Sequence, residues 1–182
     1  GDIDEGLAQA QILFEQDKMK GFKALAKAYA KDGARAKVLT TYKQALALFP
    51  NDAELYYLRG HYFLSQDEFE SAVKEFKSAM TLPKPDKHQI AIQLQALYFI
   101  GRTSSISGQK LERGIQAFKQ YFEQYHPIEH EPLPDPHWAR FRMAQLMEDN
   151  GQQQDAKAIY LSMLKDPELD DKALKPKIKD QL

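Results

Sequence analysis

The sequence predicts an all-α fold, an array of about four helical hairpins with a further helix at each end. Three observations carry this expectation. Small residues recur among bulky rings: between Leu58 and Met80, Gly60, Ala72 and Ala79 follow one another at intervals of 12 and 7. The arrangement has a copy 34 residues earlier, where Val38, Tyr42 and Ala45 hold the places of Ala72, Phe76 and Ala79. The helix before it matches too, with Phe22, Leu25, Ala26 and Tyr29 preceding Val38 as Tyr56, Arg59, Gly60 and Phe63 precede Ala72. The composition agrees: 182 residues, 43% hydrophobic and 28% charged, suit one compact domain or one short repeat array.

Taken in order, Asp4 to Glu15 contains Leu7, Ala8, Ile12 and Phe14 and reads as an amphipathic helix within residues 1–18. Residues 19–52 and 53–85 are the first two hairpins, the first closing on Pro50, 12 after Val38, and the second on Pro83, 11 after Ala72. Where the helices of a hairpin cross, Gly or Ala lets the backbones approach while Phe and Tyr fill the space beside them. A larger side chain at Gly60, Ala72 or Ala79 would overpack that seam. Residues 86–126 form a third, stretched copy, with Leu97, Ile100 and Gly101 followed by Gly114, Phe118 and Tyr121. A fourth, 137–168, has Met143, Ala144 and Met147, a turn at Asn150-Gly151, then Ala156, Tyr160, Met163 and Pro167.

From Ala72 to Gly114 and from Gly114 to Ala156 the interval is 42, eight more than between the first two copies. In the third hairpin the extra residues lengthen the first helix backwards through Asp86 to Leu97, where Ile90, Leu94 and Leu97 keep helical spacing. Before the fourth they make a loop, 127–136, in which Pro127, Pro132, Pro134 and Pro136 forbid a regular helix. Residues 169–182 are a capping helix, because a repeat array needs end helices with polar outer faces. With Asp170 or Asp171 as its N-cap, Pro176 falls beyond the first turn and should kink or shorten it.

A period of ~34 residues with the spacing bulky-x2-Leu-Gly-x2-Tyr … Ala-x3-Phe … Pro resembles the tetratricopeptide repeat family, over roughly Met19 to Pro167. The resemblance implies a right-handed α-α superhelix whose first helices line a concave groove, and a non-catalytic scaffold that binds an extended peptide or protein partner there. Placed on that pattern, the groove receives Lys20, Lys23 and Lys27, then Glu54, Tyr57 and His61, then Gln95, Tyr98 and Arg102, and finally Trp138, Phe141 and Gln145 with Arg142 close by. A basic strip thus runs into an aromatic stretch, and Tyr, Trp and Arg are the side chains that most often dominate binding energy. The competing reading is that the lysines are a solvated face and that Tyr57, Tyr98 and Trp138 pack between repeats. Family members that clamp the C-terminal carboxylate of chaperone tails use five set positions. Here Lys23 matches, whereas Lys27, Leu58, Gln95 and Phe99 depart, which argues against that partner.

Other functions find little support. Lys plus Arg number 25 against 26 Asp plus Glu, so no global field attracts nucleic acid, and no apolar run of membrane-spanning length predicts insertion. With no cysteine, disulfides and thiolate chemistry are excluded, while cytoplasmic and exported compartments both stay open. The chain opens on Gly1, as a trimmed chain would. His126, Glu129, His130, Glu131, Asp135 and His137 could in principle hold a metal, but on a proline-punctuated loop they read as a solvated linker, and neither metal nor cofactor is expected. Ser104, Ser105 and Ser107 lack a nucleophile elbow and read as a helix end before Gly108. The opening Gly-Asp-Ile-Asp-Glu-Gly lacks the ligand spacing of a calcium loop. The rival to peptide binding is an assembly element, with the groove filled by a second copy in a homodimer. A third reading, an enzyme or metal protein built on the histidine-rich loop, has the least behind it.

Overall fold

The computed structural model describes residues 2–82, 86–169 and 171–182, and among them regular secondary structure is entirely helical. Ten helices follow in order: α1 (Asp2–Gln16), α2 (Lys18–Lys31), α3 (Arg35–Leu48), α4 (Ala53–Ser65), α5 (Phe69–Met80), α6 (Lys87–Ser107), α7 (Leu111–Gln124), α8 (Pro136–Asp149), α9 (Gln153–Leu164) and α10 (Leu174–Lys179). Pro83 and Asp170, and Gly1 of the opening acidic stretch, lie outside the described residues.

One rule starts the helices that open a hairpin. Asp17, Asp52, Asp86 and Asp135 precede α2, α4, α6 and α8, and each side chain accepts from a backbone N–H of the first turn, at 2.9 Å from Met19, 2.8 Å from Leu55, 2.8 Å from Gln89 and 2.7 Å from His137. Such caps satisfy donors that the helix leaves orphaned. The return helices α3, α5, α7 and α9 have no side-chain cap. They follow tight turns in which Gly33, Asp67, Gly108 and Gly151 hold left-handed backbone, at φ 71°, 57°, 64° and 81°. Glycine reaches that region without steric cost, and aspartate is among the residues that tolerate it best.

Within each hairpin a ring of the return helix lies on a small residue of the first. A Cβ added to Gly60 would lie 2.7 Å from the Phe76 ring, and one on Gly101 would lie 2.6 Å from the Phe118 ring. Ala26 beside Tyr42, and Ala144 in the cluster with Tyr160, continue the series. Ala72 and Ala79 are fully buried. At Gly114 the neighbours are Ser104 and Leu146, so there the small residue admits the following hairpin as well.

The extra residues of the third unit lengthen α6, and those before the fourth form an irregular segment that ends one residue earlier than expected, Pro136 opening α8 because a first-turn proline gives up no needed N–H. α6 extends back to Lys87 and reaches 21 residues, burying Ala91, Ile92, Leu94 and Leu97. Residues 125–135 are irregular and fold back on the array: Tyr121 donates its hydroxyl to the Pro134 carbonyl, and Gln95 donates to the Pro132 carbonyl at 2.8 Å. Replacing the fully buried Tyr121 by Phe keeps the ring but orphans that carbonyl, so chemical denaturation is expected to show a loss of about 1 kcal/mol. Unchanged stability would mean the loop is held by other contacts. At the C-terminus helix resumes only at Leu174, which places Pro176 in the first turn, where a missing N–H costs nothing. Asp171 accepts from the Ala173 and Leu174 N–H groups at 2.7 and 3.0 Å, and Leu174 and Ile178 close the core.

Packing divides unevenly. The largest apolar cluster joins α6 to α10 through Leu97, Phe118, Tyr121, Phe141, Leu146 and Tyr160. A second, around Phe76, Ile92, Ala96 and Ile100, joins α4 and α5 to α6 and α7. α2 and α3 meet α4 through two small clusters, Phe22–Ala45–Leu55 and Ala26–Val38–Tyr42. Along the array α4 touches α6 and α6 touches α8, while the return helices α5 and α7 meet through the Glu70–Arg113 ion pair. The packing of α4 on α6 and α6 on α8 sets these first helices on the inner side of the array, and the repeat register puts α2 with them.

Candidate functional site on the concave face

The register of the four units puts Lys23, Tyr57, Tyr98 and Phe141 in one column of the inner face, each three residues before the small crossing residue Ala26, Gly60, Gly101 or Ala144. Burial deepens along that column. Lys23 and Tyr57 are half-buried, Tyr98 is 8% exposed and Phe141 4%. Phe141 lies against Trp138 and Tyr160 with ring centroids 6.0 and 5.8 Å away, so it is part of the core and offers a ligand almost nothing. The later units are covered by α8 to α10 and the first are not, which is why equivalent positions differ.

The lysine end is less basic than its sequence. Lys23 is ion-paired with Glu54 of α4, and Glu54 also faces His88 Nε2 at 3.4 Å. His88 turns its Nδ1 to Glu131 of the folded-back loop at 3.1 Å. Burial pushes the His88 pKa down, but hydrogen bonds to Glu131 and Glu54 outweigh it and the net shift is upward. A chain of alternating charge thus crosses the face from α2 to the loop. Lys27 is exposed and lines a cleft of about 380 Å³ between α1 and α2, with Glu5, Gln9 and Lys31. The structure does not bring it to Arg102. Gln95 is taken up by Pro132.

The middle of the face is where predicted residues do converge. Tyr57, His61, Phe76 and Phe99 form an aromatic cluster; the His61 ring lies 4.5 Å from Tyr57 and 4.1 Å from Phe99. The Arg102 guanidinium lies over Phe99 at 5.4 Å. Burial, and then the Arg102 charge, push the His61 pKa down to about 4, so the ring is neutral at pH 7, and its Nε2 is buried with no partner among the described residues. Burial likewise raises the Tyr57 hydroxyl well above its ordinary value. In the sequence Phe99 figures only as a departure from the chaperone-tail pattern, because the groove register points to its neighbour Tyr98. The signal was there: two adjacent aromatics on a long helix let one fill the core while the other leans on the preceding hairpin.

On α8, Arg142 Nε donates to the Tyr98 hydroxyl at 3.3 Å and its guanidinium lies over Trp138 at 5.6 Å. Trp138 is fixed from behind, its Nε1 donating to Asp171 at 2.7 Å. Gln145 lies one turn further, in a polar recess with Ser105 and Gln181. Four of the six arginines have a carboxylate partner: Arg35 with Glu68, Arg59 with Glu75, Arg113 with Glu70 and Arg140 with Asp166. Among the described residues Arg102 and Arg142 have none.

The histidine-rich loop does not gather into one site. His126 turns to the Gln124 carbonyl, His130 and Glu129 are solvent-exposed, Glu131 goes to His88, and His137 sits between Asp135 and Asp166 at 3.3 and 3.4 Å. Among the described residues no three His, Cys, Asp or Glu side chains are grouped to hold a metal ion, and no helix is long and apolar enough to cross a membrane. Ser104, Ser105 and Ser107 direct their hydroxyls to backbone carbonyls at the end of α6.

No protein-family profile matches the sequence, and no curated protein matches it. Solved structures do. Two crystal structures of MamA superpose with TM-scores of 0.63 and 0.64 at 20% identity, covering 87% and 88% of this chain and 85% and 80% of theirs. PilF of Pseudomonas aeruginosa superposes with a TM-score of 0.58 at 14% identity, covering 87% of this chain and 73% of its own. Both are tetratricopeptide-repeat proteins.

Proposed function

We propose that this chain, which has the tetratricopeptide-like α-α superhelical fold, is a protein-interaction scaffold that holds an extended segment of a partner along its concave face and carries out no catalysis. The observation behind the reading is the half-open patch of Tyr57, His61, Arg102, Trp138 and Arg142, contributed by three successive first helices. Its side chains already have neighbours in the chain: Trp138 donates to Asp171, Arg142 donates to Tyr98, and Arg102 lies over Phe99. A face ordered in advance spends less of its contact energy on losing rotamer freedom, so several weak contacts can sum to useful affinity. Tyr, Trp and Arg are also the types that dominate binding energy at protein interfaces.

Peptides selected from a displayed random library on the wild-type protein test this. They are expected to lose about tenfold or more in affinity with Tyr57→Ala and to keep it with Lys119→Glu, an exposed position on the return helix α7. Selected peptides that bind all three proteins equally would put the site elsewhere and remove the concave-face reading. Light scattering over a dilution series addresses the rival. A stable dimer whose formation blocks peptide binding would make the face an interface between copies.

A further inference from the structure

Arg102 and Arg142 stand in a relationship the fold does not need. Counted from the crossing residues Gly60, Gly101 and Ala144, Arg102 holds in α6 the place of His61 in α4, and Arg142 holds in α8 the place of Phe99 in α6. His61 and Phe99 are in contact across the α4–α6 seam, with centroids 4.1 Å apart. By the same register Arg102 and Arg142 are the α6 and α8 counterparts of that contact pair, so two cations stand on neighbouring first helices where the preceding pair is aromatic. Long helical side chains lean towards the helix N-terminus, and both guanidiniums do so: Arg102 reaches Phe99, three residues back, and Arg142 reaches Trp138, four residues back, and Tyr98 on α6. Arg102 Nε is buried with no acceptor among the described residues. A half-buried guanidinium with no carboxylate opposite it keeps the cost of its lost hydration uncompensated. In this chain every other arginine is opposed by one carboxylate.

We propose, resting on the concave-face reading, that Arg102 and Arg142 bind two acidic side chains of an extended peptide, one carboxylate to each guanidinium, in an acid-x-acid pattern. In an extended chain, alternate side chains share a face and stand about 7 Å apart, a span that side chains on neighbouring helices with axes about 8–10 Å apart can match. Charge-assisted, fork-shaped pairing favours arginine over lysine for this task. Tyr57 on α4, and Trp138 on α8 one turn before Arg142, suit apolar or aromatic neighbours of the two acids. The residues differ from the chaperone-tail positions, which here are Lys23, Lys27, Leu58, Gln95 and Phe99.

The test uses the whole chain and a fluorescein-labelled peptide, amidated at its C-terminus, of sequence Gly-Tyr-Glu-Pro-Glu-Tyr-Gly, followed by fluorescence anisotropy. Wild-type protein is expected to bind it and to lose about tenfold for each Glu changed to Gln in the peptide, with affinity falling as salt rises. These readings need no variant protein. Arg102→Gln and Arg142→Gln, each checked for unchanged helicity, are expected to lose about tenfold singly, while Arg142→Lys recovers only part. A Gln-Pro-Gln version with a free C-terminus that binds as well as the Glu-Pro-Glu peptide would overturn the proposal in favour of a terminal carboxylate. A phosphoserine version of the peptide that binds more tightly would overturn it in favour of phosphate. No binding by the wild type at millimolar peptide would overturn it outright. Binding that Tyr57→Ala weakens and the arginine variants leave unchanged would remove this assignment while the concave-face reading stands; indifference to all three would remove both.

Discussion

A chain carrying Gly60→Leu together with Ala72→Leu is expected to lose at least about 3 kcal/mol of stability and to unfold over a broadened transition far below the wild-type temperature. Gly60 faces a ring with no room to yield, since Phe76 is fully buried and a single added carbon would already lie 2.7 Å from it. Ala72 is itself fully buried on the partner helix of the same hairpin. Overpacking a well-filled core costs about 1–3 kcal/mol per site, and two sites that share neighbours do not relax independently. Better helix propensity of Leu over Gly returns less than about 1 kcal/mol. Lys74→Leu, at an exposed position of α5, is the control and should change little. Circular dichroism during heating decides the matter, and a double variant that melts as sharply and as high as the wild type would mean that these positions are not helix crossings.

The second large effect concerns acid. His61→Phe is expected to be about as stable as the wild type at pH 7 and to gain on it by about 3 kcal/mol as the pH falls to 4. The folded ring has its pKa pushed down to about 4 against an ordinary 6.5, by burial first and the Arg102 charge second. Between those values the unfolded chain takes up a proton at this position and the folded chain does not, so wild-type stability drains away as pH falls through the window. Around the ring stand Tyr57 of its own helix, Phe76 of α5, and Phe99 and Arg102 of α6; the one charge among them is positive. Phe keeps the ring and, because Nε2 has no hydrogen-bond partner among the described residues, forfeits none of them. Urea titrations at pH 7, 5.5 and 4 measure the difference. A gap that stays constant with pH would show that His61 titrates normally. His88 works in the opposite sense, its raised pKa lending stability below 6.5 that fades as pH climbs through the higher folded value, which is why the comparison is made between variants.

The fold was legible because its causes are local and repeated. Small residues at crossings, a ring 16 residues on from each of Ala26, Gly60 and Ala144, and prolines kept out of the hairpin helix interiors are visible without coordinates. Asp17, Asp52, Asp86 and Asp135 could have been read as a set of caps, and would have fixed where each hairpin opens. The site was legible only in part. Register assigned side chains to the inner face, and in the structure Tyr57 and His61 lie on α4, Arg102 on α6 and Arg142 on α8. It could not tell that Glu54 neutralises Lys23, that the loop takes Gln95, or that Phe141 is sealed by α9, since each depends on what another hairpin places opposite. Pairing between residues 31 or 37 apart is set by superhelical packing, which single-helix periodicity does not encode.

The boundary between the first hairpin and the rest has one more implication. Besides two small apolar clusters, it is bridged by two ion pairs, Lys23 to Glu54 and Arg35 to Glu68, all four side chains partly in solvent. Attraction between such charges weakens in concentrated electrolyte, while the oily interior from α6 onward does not. The first hairpin therefore leans more on charge than the helices behind it, and it is the part of the array that concentrated salt should loosen first.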